Sequence, residues 1–156
     1  FYGVTKHCSE MLARQYEEFL DVAIFRLFTP YGPGQTGRLV PSVGTRVRDG
    51  LPVRVHLVGR PFLTPIYIAD VVTAFEVGIE TNTSGTFNIA GNAVTNVKNI
   101  AQTIGRLIGK TPVCEDTTED VSNLIGDNTL VQQTLGISPL VCLEEGLERT
   151  IAVLRR

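Results

Sequence analysis

The order of patterns along this chain predicts an α/β fold. Short apolar runs bounded by turn residues alternate with longer stretches whose apolar residues recur every three or four positions, and no repeat or low-complexity segment interrupts the alternation. At 156 residues the chain is about one domain long and can bury a core.

Taken in order, "VTKHCSEMLARQYEEFL" sets Cys8, Met11, Leu12, Gln15 and Phe19 near one face of a helix. "VAIFRLF" reads as a strand buried on both sides, because its apolar residues are consecutive and do not alternate. "RLVPSVGTRVRDG" reads as a helix entered through Pro41 and ended near Gly50. "VRVHLV" and "TPIYI" read as strands. "ADVVTAFEVGIE" is an amphipathic helix whose early Asp70 suits the positive end of the helix dipole. "GTFNIAG" is a strand closed by a turn, and "NVKNIAQTIGRLIG" is a helix with an apolar stripe. "DNTLVQQTLG" and "LEEGLERTIAVLRR" read as two final helices, each capped at its start.

Composition limits the function. A net charge of -2 leaves no basic field for nucleic acid or an anionic membrane, so small molecules or other subunits are the expected partners. Cys8, Cys114 and Cys142 have neither an even count nor metal-ligand spacing, and a reducing cytoplasm suits them; no metal is expected. No apolar run is long enough to span a bilayer. The abrupt "FYGVTK" start, without Met and already in a helical pattern, looks cut from something longer.

Gly32, Gly34 and Gly37 have the G-x-G-x-x-G spacing of a dinucleotide-binding turn directly after a strand pattern. The rest of that turn is missing. Pro33 lacks an amide, Pro41 argues against a helix opening at Gly37, and no acidic residue stands about 20 positions on to hold a ribose. A surface loop touching ligand is the better reading.

Tyr2 and Lys6 in "YGVTK" leave the same face of a helix. An ammonium held near a phenol favours the phenolate, which makes a tyrosine usable as a general acid/base. This pair, followed by "RLFTPYGPGQ", "PIYIADVVTAF", "GTFNIAG" and "LGISPLVCLEEGLERTI" in that order, resembles the extended short-chain dehydrogenase/reductases, the nucleotide-sugar epimerase and dehydratase family.

The resemblance implies the C-terminal part of that family's Rossmann-type fold with its small α/β substrate domain, the N-terminal dinucleotide-binding half being absent. Residues 1–37 would be the last part of the Rossmann-like core with the catalytic helix. Residues 38–156 would be mainly the substrate-binding subdomain, with returning core elements. Tyr2 would be the catalytic acid/base and Lys6 would hold the nicotinamide ribose, both touching the cofactor; Phe28 and Pro30 would lie beside the nicotinamide. Thr29 would meet the sugar, Val40 and Pro41 would line the nucleotide pocket, His56 and Leu57 would approach the base, and Asp120 would lie near the nucleotide ribose.

Two departures stand out. Leu63, Thr64 and Pro65 occupy the place of the family's Arg-Asp-Phe, and Thr117 stands where a second arginine is usual. Each lost guanidinium removes a contact worth about 1.5–3 kcal/mol. Arg38, Arg46 and Arg60 are the candidates to replace them.

The resemblance therefore implies the substrate-binding half of an NAD(P)-dependent epimerase or dehydratase, inactive alone, with NAD or NADP in an intact relative and weak or absent binding here. The partner would be a nucleotide sugar or related small molecule. Two alternatives stay open: a non-catalytic ligand-binding or assembly module, and a reductase of small carbonyl compounds on the same fold. Loss of the preceding half would expose an apolar face and a strand edge around residues 22–28. Self-association into a homo-oligomer, or rearrangement of the first helix over that face, is then expected.

Overall fold

The computed structural model describes residues 1–119 and 121–153. The helices are α1 (Tyr2–Arg14), α2 (Leu39–Asp49), α3 (Ile68–Glu80), α4 (Val97–Ile108), α5 (Thr129–Leu135) and α6 (Leu143–Ala152). The strands are β1 (Ala23–Leu27), β2 (Pro30–Tyr31), β3 (Val53–His56), β4 (Phe62–Leu63), β5 (Ile66–Tyr67), β6 (Gly85–Ile89), β7 (Thr95–Asn96) and β8 (Cys114–Thr117). Among the described residues the strands pair two by two. β1–β6, β2–β5 and β3–β8 are parallel, while β4–β7 is antiparallel. The predicted α/β class is observed, with parallel pairs joined through helices.

Two apolar clusters hold these elements. In the first, Val40, Val43 and Val47 of α2 meet Ile100 and Ile104 of α4, Leu147 and Ile151 of α6, and Val53 and Val55 of β3. In the second, Val71 and Ala74 of α3 pack with Phe87 and Ile89 of β6 and Val131 of α5. Asp70 joins the C-terminal segment to α3, because its buried carboxylate accepts from the amides of Leu140 (3.0 Å) and Val141 (3.2 Å). That use goes beyond the dipole role its position suggested.

Local differences have local causes. α2 opens at Leu39, two residues before Pro41; a proline in the first turn costs nothing where amides lack helical partners, so it need not mark the entrance. α1 stops at Arg14, with turns over residues 15–19, instead of running on to Leu20. α4 has the expected cap, Asn96 accepting from the amide of Asn99. Neither α5 nor α6 has a capping bond from its N-cap side chain: Asn128 instead bridges both backbone groups of Ala90, and Cys142 makes none.

The "VAIFRLF" segment forms a strand, but the full burial expected of it is corrected. Ala23, Ile24 and Phe25 are only partly covered, and Leu27 is 39% exposed. The cause is topological, since among the described residues β1 pairs with β6 alone.

Candidate active-site cleft

The first turns of α1, the end of β1 and the start of α2 enclose an open cleft of about 710 Å³. Tyr2, Lys6 and Glu10 line it at successive turns of α1. The Lys6 ammonium lies 5.7 Å from the centroid of the Tyr2 ring, and Tyr2 is 74% exposed. The two side chains share the cleft, as their spacing predicts.

Glu10 anchors this helix. Its carboxylate accepts two bonds from the Arg26 guanidinium on β1, at 2.9 and 2.5 Å, and that guanidinium holds the carboxyl below its ordinary range. Arg14 adds a bond to the Thr86 hydroxyl on β6 (2.9 Å). No residue of α1 is buried, so these polar tethers and not a core fix the helix over the sheet.

The opposite wall is the segment from Leu27 to Val40. Thr29 lines the cleft with φ of 46°, a left-handed conformation that is strained for a β-branched residue and is typical of ligand-contacting turns. Pro30 and Tyr31 follow as β2. Tyr31 also borders the cleft but is a different kind of tyrosine. It is 2% exposed, its hydroxyl donates to the Leu143 carbonyl (3.3 Å), and burial raises its pKa well beyond the phenol range, so it stays neutral.

The Gly32–Gly37 loop is not a dinucleotide turn. Gly34 and Gly37 take left-handed conformations, and α2 opens two residues after Gly37, not on it. Gln35 closes this loop by donating from Nε2 to the Pro30 carbonyl (3.0 Å), while its Oε1 is buried with no hydrogen-bond partner among the described residues. Its place in the cleft wall was not anticipated. The one available signal was that it sits inside the glycine loop.

Arg38 lies in the cleft at the N-cap of α2 and makes no ion pair among the described residues. The first-turn amides of Leu39 and Val40 precede the proline and lack helical acceptors. A second open hollow, about 510 Å³, begins on the far side of Leu39 and reaches Arg46, Arg54 and Glu115. Arg46 is already engaged with the Pro52 carbonyl (2.7 Å), and Arg60 is exposed outside both hollows.

The remaining expected residues fall into three groups. Val40 lines the cleft from the edge of the core, whereas Pro41 is buried behind it. Phe28 does not line the cleft, and its ring lies over Gly126, where an added Cβ would come within 2.8 Å of it. His56 ends β3 and Leu57 follows it, neither lines the cleft, and the Leu57 amide donates to the Thr117 carbonyl (3.3 Å). Asp120 lies outside the described residues.

Of the two places where an arginine was expected, Leu63–Pro65 is packed and Thr117 is only partly covered. Leu63 and Thr64 are buried, and the Thr64 hydroxyl accepts from the Gly126 amide (2.9 Å). Thr117 pairs with His56, and its hydroxyl accepts from the Glu119 amide. Among the described residues there is no cluster of side chains suited to a metal, and no helix is long and apolar enough to cross a membrane.

Residues 1–90 match the family model described as NAD dependent epimerase/dehydratase family. The chain belongs to that family. Among epimerase/dehydratase relatives, a dTDP-glucose 4,6-dehydratase of Streptomyces griseus is 28% identical over 159 residues, covering 97% of this chain and 48% of that protein. A UDP-glucose 4-epimerase of Thermotoga maritima, solved with UDP-glucose, is 29% identical with a TM-score of 0.83, covering 99% of this chain and 53% of the other. MoeE5, solved with UDP-glucose and NAD, is 28% identical with a TM-score of 0.87, covering 99% and 55%. The chain thus spans about half the length of these epimerase/dehydratase relatives.

Proposed function

We propose that this chain is the C-terminal, substrate-binding half of an NAD(P)-dependent nucleotide-sugar epimerase or dehydratase, and that it is inactive by itself. The observation that carries the reading is the meeting of Tyr2 and Lys6 with Thr29 and Arg38 in one cleft. In this reading residues 1–37 complete a Rossmann-like core, and residues 38–156 mainly form the substrate subdomain.

A nucleotide sugar would lie across the start of α2. Its sugar would sit between Tyr2 and Thr29. Its diphosphate would take the Leu39 and Val40 amides and the Arg38 guanidinium, a favourable arrangement because the helix N-terminus and the arginine both present positive potential. The nucleoside would continue past Val40 toward β3, where His56 and Leu57 stand. Arg38 is the best placed of the three arginines to offset the two missing ones.

The dinucleotide fits these residues at one end only. Tyr2, Lys6 and Pro30 suit its nicotinamide ribose, but the glycine loop cannot cradle its pyrophosphate. When bound, NAD would accept hydride from a sugar carbon. The Tyr2 oxygen would take the proton from the hydroxyl on that carbon and later return it. Lys6, one turn along the helix, would balance the negative charge that the oxygen carries before it takes this proton and again after it returns it.

Reduction of small carbonyl compounds is the second reading, favoured by the packed Leu63–Pro65 segment and Thr117 where guanidinium groups would grip a diphosphate. Thermal unfolding with UDP-glucose, UDP-glucuronate and NAD tests both, since a ligand of the folded state must raise its stability. UDP-sugars are expected to raise Tm, Arg38→Ala to abolish the rise, and NAD to give little. No response to either UDP-sugar would remove the nucleotide-sugar reading.

A further inference from the structure

Tyr2, Lys6 and Glu10 stand at successive turns of α1 along one wall of the cleft. Lys6 therefore has two neighbours four positions away, a phenol on one side and a carboxylate on the other, and its flexible stem can serve either. The ammonium takes the phenol. It lies 5.7 Å from the Tyr2 ring centroid and makes no ion pair among the described residues. At an exposed site the two attractions are small and of similar size, so the balance is set by what else holds the carboxylate.

Arg26 holds it. From β1 its Nε and Nη2 donate to the two Glu10 oxygens at 2.9 and 2.5 Å. A planar, bidentate grip of this kind engages both oxygens at once and cancels most of the charge another cation would feel. Two further basic residues of α1, His7 and Arg14, also draw on Glu10. Neither lines the cleft, and Arg14 is tied to the Thr86 hydroxyl of β6 (2.9 Å).

The cleft holds three cations, Lys6, Arg26 and Arg38, and Glu10 is the one acidic residue among the described residues that line it. A Glu10 carboxylate released from Arg26 would be the one side-chain anion in the cleft able to compete with Tyr2 for the ammonium, from a position one turn away.

We infer that Arg26 is a positioning residue for the Tyr2–Lys6 pair: by occupying both oxygens of Glu10, it leaves the Lys6 ammonium to Tyr2. This rests on the functional reading, in which Lys6 balances the charge on the Tyr2 oxygen. The role differs in sign from that of a tether. A tether needs both members, so removing either has the same effect. Here removal of Arg26 releases a competitor for Lys6, whereas removal of Glu10 abolishes that competitor.

The test follows the NOE between the Tyr2 ring and the Lys6 ε-methylene in the unaltered 156-residue chain, in Arg26→Gln, in Glu10→Gln and in the double variant. The contact should be present in the unaltered chain, at least about twofold weaker in Arg26→Gln, undiminished in Glu10→Gln and restored in the double variant. Amide exchange over α1 is read alongside. It should quicken to a similar extent in all three variants, because each lacks the tether. A contact that weakens equally in both single variants and stays weak in the double variant would reduce Arg26 to a tether and overturn the proposal. A contact absent from the unaltered chain overturns it as well. So does a contact that survives in Arg26→Gln, since Glu10 would then have turned to His7, Arg14 or solvent. UDP-glucose binding is read separately: the predicted pattern without nucleotide-sugar binding would leave the division of charge standing and remove the functional reading.

Discussion

Arg26 on β1 grips both carboxylate oxygens of Glu10 on α1, and through that grip the helix bearing Tyr2 and Lys6 is held to the sheet. Glu10 lies one turn beyond Lys6 in the same cleft. With no residue of α1 buried, the geometry of the Tyr2–Lys6 pair depends on an exposed ion pair.

The order of α1 should therefore depend on pH. The Arg26 hydrogen bonds lower the Glu10 pKa in the folded chain below its ordinary 4.5. The tether is complete above that ordinary value and is lost as pH falls through the depressed folded value. Heteronuclear NOE values across residues 2–14 should be steady from pH 7 to 5 and fall below pH 4. Arg26→Gln should reproduce the loosening at neutral pH, speeding α1 amide exchange by about two- to fivefold. Unchanged NOE values in the variant would show that another contact holds the helix.

Tyr2→Phe separates chemistry from binding. In a chain supplied with the cofactor half, this change should lower turnover about 10²- to 10⁴-fold, the range for loss of a positioned acid/base. UDP-glucose affinity should stay within about twofold if, as proposed, the hydroxyl serves the reacting bond and not the nucleotide. A variant that keeps its turnover would assign the proton transfer elsewhere.

Thr29 exchanges stability for geometry. Its φ of 46° strains a β-branched residue that glycine would relieve. Thr29→Gly should raise unfolding stability by about 1 kcal/mol in urea while weakening nucleotide-sugar binding. Lower stability would mean that the hydroxyl or methyl makes contacts outweighing the strain.

Leu147 and Asp70 report the scaffold. Leu147 is fully buried between α2 and α4, and Leu147→Ala should cost about 2–5 kcal/mol. Asp70→Ala strands the Leu140 and Val141 amides and should cost about 2–3 kcal/mol, freeing the segment that leads into α6. Urea unfolding measures both, and a loss under 1 kcal/mol at either position would contradict the packing described.

The sequence revealed what repeats with a period. Every expected helix is present, and "VAIFRLF", "VRVHLV", "TPIYI" and "GTFNIAG" each contain a strand. It concealed β8, whose Cys114–Thr117 carries acidic residues suited to an exposed edge, and the two-residue strands β2, β4 and β7, too short to show alternation. The burial of β1 was misread for a different reason: consecutive apolar residues report composition and not cover, and among the described residues β1 pairs with β6 alone. Spacing brought Tyr2 and Lys6 together, since four residues on a helix fix a common face. It could not position Arg38 or Gln35, which reach the cleft only because the glycine loop folds back before α2.

In the proposed function a nucleotide sugar lies across the start of α2 with its sugar at Tyr2. Titration of UDP-glucose into the ¹⁵N-labelled chain, followed by amide shifts, tests it most directly. Saturable shifts are expected at Arg38, Leu39 and Val40, extending to Tyr2, Lys6 and Thr29, with binding weakened at least about tenfold by Arg38→Ala. Shifts that bypass the α2 start, or none at millimolar ligand, would contradict it.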